Sequence, residues 1–203
     1  MVNLAQSDGL LAVISGPSGV GKSTVLSRLF QFQDEFWFSV SVATRPARPS
    51  ETEGSDYFFV DEKSFFAMEK KGELLEWAQV HGFYYGTPRR AIEEQLAGGK
   101  TVVVEVDVQG AQKIRQLVDL GEIPKEKAVF IFLIPPSVDI LALRLRRRKT
   151  EDTETMNFRL RAALAELQVM EKYDYIVVND RVDNAVEKIR AIIRAEKERV
   201  QLT

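Results

Sequence analysis

A short apolar run, Leu10-Leu11-Ala12-Val13-Ile14, ends at Ser15 and leads directly into Gly16-Pro17-Ser18-Gly19-Val20-Gly21-Lys22-Ser23, which fits G-x-x-x-x-G-K-[ST]. No other feature constrains the fold as much. A strand, this octet and then a helical pattern define a phosphate-binding loop. The glycines let the backbone curl so that successive N–H groups face inward as an anion nest. The helix that opens here adds the partial positive charge of its N-terminus. Lys22 is expected to reach the β- and γ-phosphates of a nucleoside triphosphate and Ser23 to hold Mg²⁺.

Three further runs carry a strand signature: Thr101-Val102-Val103-Val104-Glu105-Val106, Ala128-Val129-Phe130-Ile131-Phe132-Leu133-Ile134 and Tyr175-Ile176-Val177-Val178. Each is followed by a helical pattern. Near-continuous apolar strands alternating with helices predict a parallel sheet covered on both faces. Ligands of such sheets sit beyond the carboxyl ends of the strands. Helices are expected over residues 21–32, from Thr87-Pro88 to Gly98-Gly99 with Thr87 as N-cap, over 109–119, from Ser137 to about 149, over 153–171 and over 182–200.

Composition narrows the chemistry. The 203 residues carry 28 Lys+Arg against 30 Asp+Glu, a net charge of -2, so no broad nucleic-acid footprint is expected. The chain has no Cys, which excludes disulfides, thiolate metal sites and Cys nucleophiles. A single His, His81, excludes a two-His metal site; with no motif partner nearby it reads as a surface or turn residue. No apolar run nears the ~20 residues needed to span a bilayer. Residues 1–8 lack the basic-then-apolar order of a signal peptide. A cytoplasmic protein with no membrane or nucleic-acid partner is the expectation.

Residues 39–86 interrupt the strand–helix alternation with Pro46 and Pro49, the alternating stretch Tyr57-Phe58-Phe59-Val60 and a short helical pattern over 61–71. This reads as a small α+β insertion, with Phe36 and Trp37 packing its base and Trp77 packing within it or, as the alternative, lining the pocket. Arg45 and Arg48 stand three apart in Thr44-Arg45-Pro46-Ala47-Arg48-Pro49, a proline-stiffened segment. Two guanidinium forks held there make a phosphate clamp, with Tyr57, Tyr84 and Tyr85 as hydroxyl donors; a solvated loop is the alternative. The chain has no N-K-x-D stretch for a GTPase to read guanine with. Transfer of phosphate to a small acceptor fits better.

These stretches resemble guanylate kinase. The match runs from about residue 10 to about 194. It is carried by residues 15–24, 39–51, 56–60 and 73–87, by Asp107-Val108-Gln109-Gly110, Pro135-Pro136-Ser137 and Val177-Val178-Asn179-Asp180. Thr44-Arg45-Pro46-Ala47-Arg48-Pro49 and Gly82-Phe83-Tyr84-Tyr85-Gly86-Thr87 are its most specific parts. The resemblance implies a P-loop NTPase-type α/β fold: a five-stranded parallel core (residues 1–38, 87–136 and 163–203), a GMP-binding α+β insertion (39–86) and a helical lid (137–162). It implies ATP and GMP as substrates, with dGMP as a further acceptor, and Mg²⁺ held by Ser23 and Asp107. ATP would lie on Gly16, Pro17, Ser18, Gly19, Val20, Gly21, Lys22, Ser23 and Thr24, with Asn179 beside its adenine. Arg45, Arg48, Tyr57 and Tyr85 would hold the GMP phosphate, Ser41, Glu76 and Thr87 would read guanine, and Glu105 and Asp107 would lie near the acceptor. Lys22, Arg45, Asp107 and the lid arginines Arg144, Arg148 and Arg159 would serve the transferring phosphate.

Two positions depart from the family pattern. Glu105 stands where the family carries Asp, and Arg146-Arg147-Arg148-Lys149 lacks glycines expected in the lid. A non-catalytic, protein-binding member of the family is the competing reading, and a P-loop kinase for another acceptor is a second. Monomer and homodimer both fit the sequence.

Overall fold

The computed structural model describes residues 9–32, 34–49, 51–80, 82–146 and 153–199. The chain runs through β1 (Leu10–Ser15), α1 (Lys22–Leu29), β2 (Trp37–Phe38), β3 (Ser41–Ala43), β4 (Tyr57–Phe59) and α2 (Glu62–Lys70). It continues through β5 (Leu74–Val80), β6 (Phe83–Pro88), α3 (Arg89–Ala97), β7 (Thr101–Glu105) and α4 (Val108–Asp119). β8 (Ala128–Ile134), α5 (Val138–Arg146), α6 (Thr153–Leu167), β9 (Tyr175–Val178) and α7 (Val182–Lys197) follow.

Five strands form one sheet in the order β2-β7-β1-β8-β9, every neighbouring pair parallel. The apolar runs are strands because both faces of this sheet are dry. Leu10, Ala12 and Ile14 point to a layer completed by Val25 and Leu29 of α1 and by Val186, Ile189 and Ile193 of α7. Leu11 and Val13 point the other way, toward Ile92 of α3 and Ala111, Ile114 and Val118 of α4. Period-2 strands between two apolar layers must be apolar at every position.

The fifth strand is Trp37-Phe38, paired to Val102 and Val103. Here the expectation is corrected in part: Trp37 belongs to the edge of the core sheet, and Phe36 is buried under α1 and α7 rather than at the base of the insertion. Two paired residues are too few to leave a pattern.

The second sheet has the order β4-β3-β6-β5, with β3 and β4 parallel and the other pairs antiparallel. The helix α2 starts at Asp61, whose Oδ1 accepts the Ser64 N–H at 2.7 Å, and it lays the fully buried Phe65 on this sheet. Phe65, Phe66, Trp77 and Tyr84 pack edge to face, with Phe66 and Tyr84 centroids 4.8 Å apart. Trp77 is thus a packing residue, as the sequence suggests.

Other helix ends agree or shift. Ser137 Oγ accepts the Ile140 N–H at 3.2 Å and caps α5; the expected extension to 149 lies outside the described residues, as does His81. Thr87 does not cap α3. β6 runs on to Pro88, and α3 begins at Arg89 without a side-chain cap, because the Thr87 hydroxyl is taken by Glu76 at 2.6 Å. α6 stops at Leu167, and a 3₁₀ turn at Met170–Lys172 replaces its expected last turn. Among the described residues no helix is long and apolar enough to cross a membrane.

The two dry layers carry the stability of the core. Ile131, fully buried at the centre of β8, should cost ~2–5 kcal/mol on substitution by Ala. Leu120→Ala, at a site 75% exposed, should stay within ~0.5 kcal/mol. Urea unfolding of both variants checks this; equal midpoints would mean that the core does not depend on this layer.

Candidate active site

β1 delivers the chain to the phosphate loop at the centre of the sheet. Gly19 and Gly21 adopt φ of +82° and +97°, a left-handed backbone that side chains disfavour. These turns leave backbone carbonyls that need donors of their own. The Val20 carbonyl is met twice from behind: Arg144 Nη1 donates to it at 2.9 Å and Asn179 Nδ2 at 2.8 Å. Arg144 Nη2 also donates to the Asn179 carbonyl at 2.9 Å. On the inner side, Lys22 Nζ donates to the Gly16 carbonyl at 2.6 Å. The Ser18 N–H donates to Glu166 Oε2 at 2.9 Å, and Arg159 Nη2 donates to Ser18 Oγ at 3.3 Å.

Parallel register sets the next wall. Ile14 lies opposite Glu105, so the end of β7 brings Glu105, Val106 and Asp107 beside the loop. Asp107 caps α4: its Oδ1 accepts the Gly110 N–H at 2.8 Å. The second sheet forms the far wall. A cavity of about 1030 Å³ connects the loop residues Gly16, Ser18, Lys22 and Ser23 with Ser41, Arg45, Arg48, Tyr57, Glu76 and Tyr85, and with Arg159 and Glu166 of α6.

The far wall is strongly polar yet well paired. Arg45, 7% exposed, grips Glu51 with both forks, Nη1 to Oε2 at 2.6 Å and Nη2 to Oε1 at 2.7 Å, and its Nε donates to the Tyr85 hydroxyl at 3.2 Å. That bidentate bond raises the pKa of Arg45 and holds the Glu51 carboxyl below its usual range. Arg48 extends from the same segment, two-thirds exposed, with Glu51 at 3.6 Å. Burial first, then the nearby Glu105, pushes the Tyr57 phenol up to about 12, so it is a neutral donor. Glu105 is itself pushed up by burial, with Lys22 opposing.

Glu76 is the deepest acid of this wall. Its Oε1 accepts from Thr87, and burial lifts its carboxyl from 4.5 to about 7. The Thr87 bond and Lys113 oppose the shift, while Asp107 adds to it.

Most residues singled out in the sequence meet here. Gly16, Pro17, Ser18, Gly19, Gly21, Lys22 and Ser23 line the cavity, as do Ser41, Arg45, Arg48, Tyr57, Glu76, Tyr85, Glu105, Asp107 and Arg159. Thr87 stands behind Glu76. Val20, Thr24, Asn179 and Arg144 do not line it; Arg144 braces the back of the loop instead of facing the cavity. Among the described residues the buried Asn179 Oδ1 has no hydrogen-bond partner. Arg148 lies outside the described residues. Sequence reading missed Glu51, Glu166 and Phe158. Glu51 sits three residues after Arg48, and Glu166 lies two helical turns beyond Arg159, so both spacings were available.

Ser23, Glu105 and Asp107 offer oxygen donors of the kind a hard divalent cation takes. Among the described residues no group of three or more acidic, His or Cys side chains could enclose an ion unaided. A divalent ion here would need oxygen ligands beyond these side chains.

A phosphate loop after the central strand of a parallel sheet, facing a second polar wall across one cavity, defines a P-loop NTPase-type nucleotide-binding fold. A family model described as guanylate kinase matches residues 9–196. The guanylate kinase of Caldanaerobacter subterraneus is 45% identical over 195 residues, covering 96% of this chain and 91% of that one. That of Lactobacillus acidophilus is 48% identical over 189 residues, covering 93% and 89%. The crystal structure of guanylate kinase from Anaplasma phagocytophilum superposes with a TM-score of 0.77 at 36% identity, covering 96% of this chain and 89% of that one. The chain belongs to the guanylate kinase family. Guanylate kinases are nucleotide kinases that generally use a divalent metal.

The elevated Glu76 carboxyl has a consequence for the ligand-free protein. Its folded pKa lies above its unfolded one, so the folded state binds the extra proton. Stability from this group is present below about 4.5 and is lost as pH rises to about 7. Glu76→Gln should therefore stabilise the free protein at pH 8 by up to ~3 kcal/mol relative to its effect at pH 4.5. Denaturant unfolding of both proteins across this range tests it; a pH-independent difference would mean that the carboxyl titrates normally.

Proposed function

We propose that this chain transfers the γ-phosphate of ATP to a phosphate oxygen of GMP, giving ADP and GDP, with dGMP as a further acceptor. The observation that carries this is one cavity with a phosphate loop at one end and, at the other, the buried Glu76–Thr87 pair beside Arg45 and Arg48.

In this reading the loop N–H groups and Lys22 hold the donor phosphates, and Asn179, with a buried acceptor to spare, lies beside adenine. Arg48, Tyr57, Tyr85 and Arg45 hold the acceptor phosphate. Ser41, Glu76 and Thr87 read guanine: a carboxylate offers two acceptors to N1–H and N2–H₂, where adenine would set a lone pair against it. Glu105 and Asp107 lie between the two phosphates. A GMP oxygen forms the new bond to γ-phosphorus as the bond to the β,γ-bridging oxygen breaks, and ADP carries those electrons away. The acceptor oxygen is already ionised, so no general base is required. Arg159 and Lys22 offset charge on the transferring group. Ser23 and Asp107 would hold Mg²⁺, whose charge offsets that of the donor phosphates.

Residues 39–86 serve as the acceptor-binding insertion and 137–162 as the lid, with Arg148 a further lid arginine. Arg144 acts from behind, by bracing the loop. Monomer and homodimer both fit this reading. A cytoplasmic location and action in purine nucleotide metabolism are consistent with these substrates. The loop with Lys22 and Ser23 facing the cavity argues against a non-catalytic binding module.

Lys22→Ala should lower kcat at least ~10²-fold with the fold intact; near-normal turnover would place the donor elsewhere. Glu76→Gln turns one acceptor into a donor that opposes guanine N2–H₂. It should raise the GMP KM and cut kcat/KM at least ~10-fold, one bond's worth, leaving ATP affinity unchanged. Coupled assays of ADP release with GMP, AMP, CMP and UMP check both; a GMP-over-AMP preference that survives in Glu76→Gln would make this residue a packing group.

A further inference from the structure

Gly110 lies buried in the first turn of α4, a place where alanine would favour the helix more. A Cβ built on it would stand 2.6 Å from Glu76 Oε2, 3.0 Å from Glu76 Cδ and 3.1 Å from Val106 Cβ. The carboxylate therefore rests directly on the bare Cα of the helix. Its other oxygen, Oε1, is fixed by the Thr87 hydroxyl on the opposite side. The Gly110 N–H is taken by Asp107 Oδ1 at 2.8 Å, so it offers nothing to Glu76. The contact is one of space, not of hydrogen bonding. One turn on, Lys113 lies over the Trp77 ring at 4.2 Å and donates to the Trp77 carbonyl. That anchor ties α4 to β5 next to Glu76 and leaves the helix little room to retreat.

We propose that Gly110 is a specificity-positioning residue: by carrying no side chain, the first turn of α4 sets where the Glu76 carboxylate stands and hence how well guanine is told from adenine. This rests on the reading of Glu76 as the guanine reader. It adds that the reader's position is dictated from the core, by the same turn whose N–H orients Asp107. A methyl group at residue 110 has nowhere to go. Val106 and Glu76 close on it from two sides, and of the two only the Glu76 side chain can swing.

Gly110→Ala should raise the GMP KM at least tenfold and lower the GMP-over-AMP preference by a similar factor, with the ATP Kd within twofold of the parent. Glu76→Asp withdraws the carboxylate by one methylene and makes room for the added methyl group. The double variant Gly110→Ala/Glu76→Asp should then bind GMP at least fivefold better than the product of the single effects predicts. A purely structural glycine would give additive effects and would lower activity without changing nucleotide preference. An unchanged GMP KM in Gly110→Ala, or strict additivity in the cycle, overturns the proposal. If Gly110→Ala alone does not fold, recovery of folding and GMP preference in the double variant supports it, and failure of both variants to fold overturns it. Loss of preference in Glu76→Gln but not in Gly110→Ala rejects the positioning role while leaving the reader in place. Retained preference in Glu76→Gln rejects the reader itself.

Discussion

The Val20 carbonyl, accepting from both Arg144 and Asn179, is the contact on which the rest of the site depends. A loop can turn its N–H groups toward an anion only if its carbonyls are satisfied elsewhere, since buried backbone acceptors without partners are costly. Arg144 of α5 and Asn179 after β9 supply those partners from two distant parts of the chain. The cradle is therefore a product of the whole core. The central strand sets its position, and elements far along the sequence fix its shape.

Charge in the cavity is balanced by geometry more than by counting. Two polyanions are to meet there, yet the walls carry Glu76, Glu105, Asp107 and Glu166 as well as cations, and Glu51 pairs with the wall residue Arg45. Glu51 holds Arg45 in one place and leaves Arg48 the more exposed cation of the pair. Burial keeps Glu76 and Glu105 inclined to hold protons, which reduces negative charge in the cavity. A ligand donating two N–H bonds to Glu76 would favour its ionised form, so the same burial that penalises the free carboxylate rewards a matching base.

Much of this was legible from residues. Leu10 to Ser23 reads as strand, loop and helix because two dry layers demand an apolar strand and the anion nest demands glycines. The buried β8 is legible for the first reason. Trp37-Phe38 is not, since two residues at a sheet edge leave no period. Thr87-Pro88 imitates a helix start, and only the partner across the strand pair, Glu76, shows that the hydroxyl is already used. Arg144 is a lid arginine only by the family resemblance; its contacts to Val20 and Asn179 span 124 and 35 residues, beyond the reach of sequence pattern. Glu51 and Glu166 escape notice because acids beside phosphate sites run against charge intuition, although each neutralises or caps a group that needs it. Long-range pairing is what sequence pattern cannot carry.

The bond from the Ser18 N–H to Glu166 gives the loop an occupant of its own. A phosphate arriving at that N–H exchanges one oxyanion for another and need not strip a donor from bulk water. The carboxylate is tethered, so it competes at a high effective concentration, and a weakly held small anion has little with which to displace it. A triphosphate, anchored at several N–H groups at once, does. Phe158, Arg159 and Glu166 share α6, so releasing the carboxylate frees a point of attachment of the helix that also carries an arginine into the cavity. The loop is thus coordinated by an acid of its own chain, and that acid belongs to the helix that also carries Arg159 into the cavity.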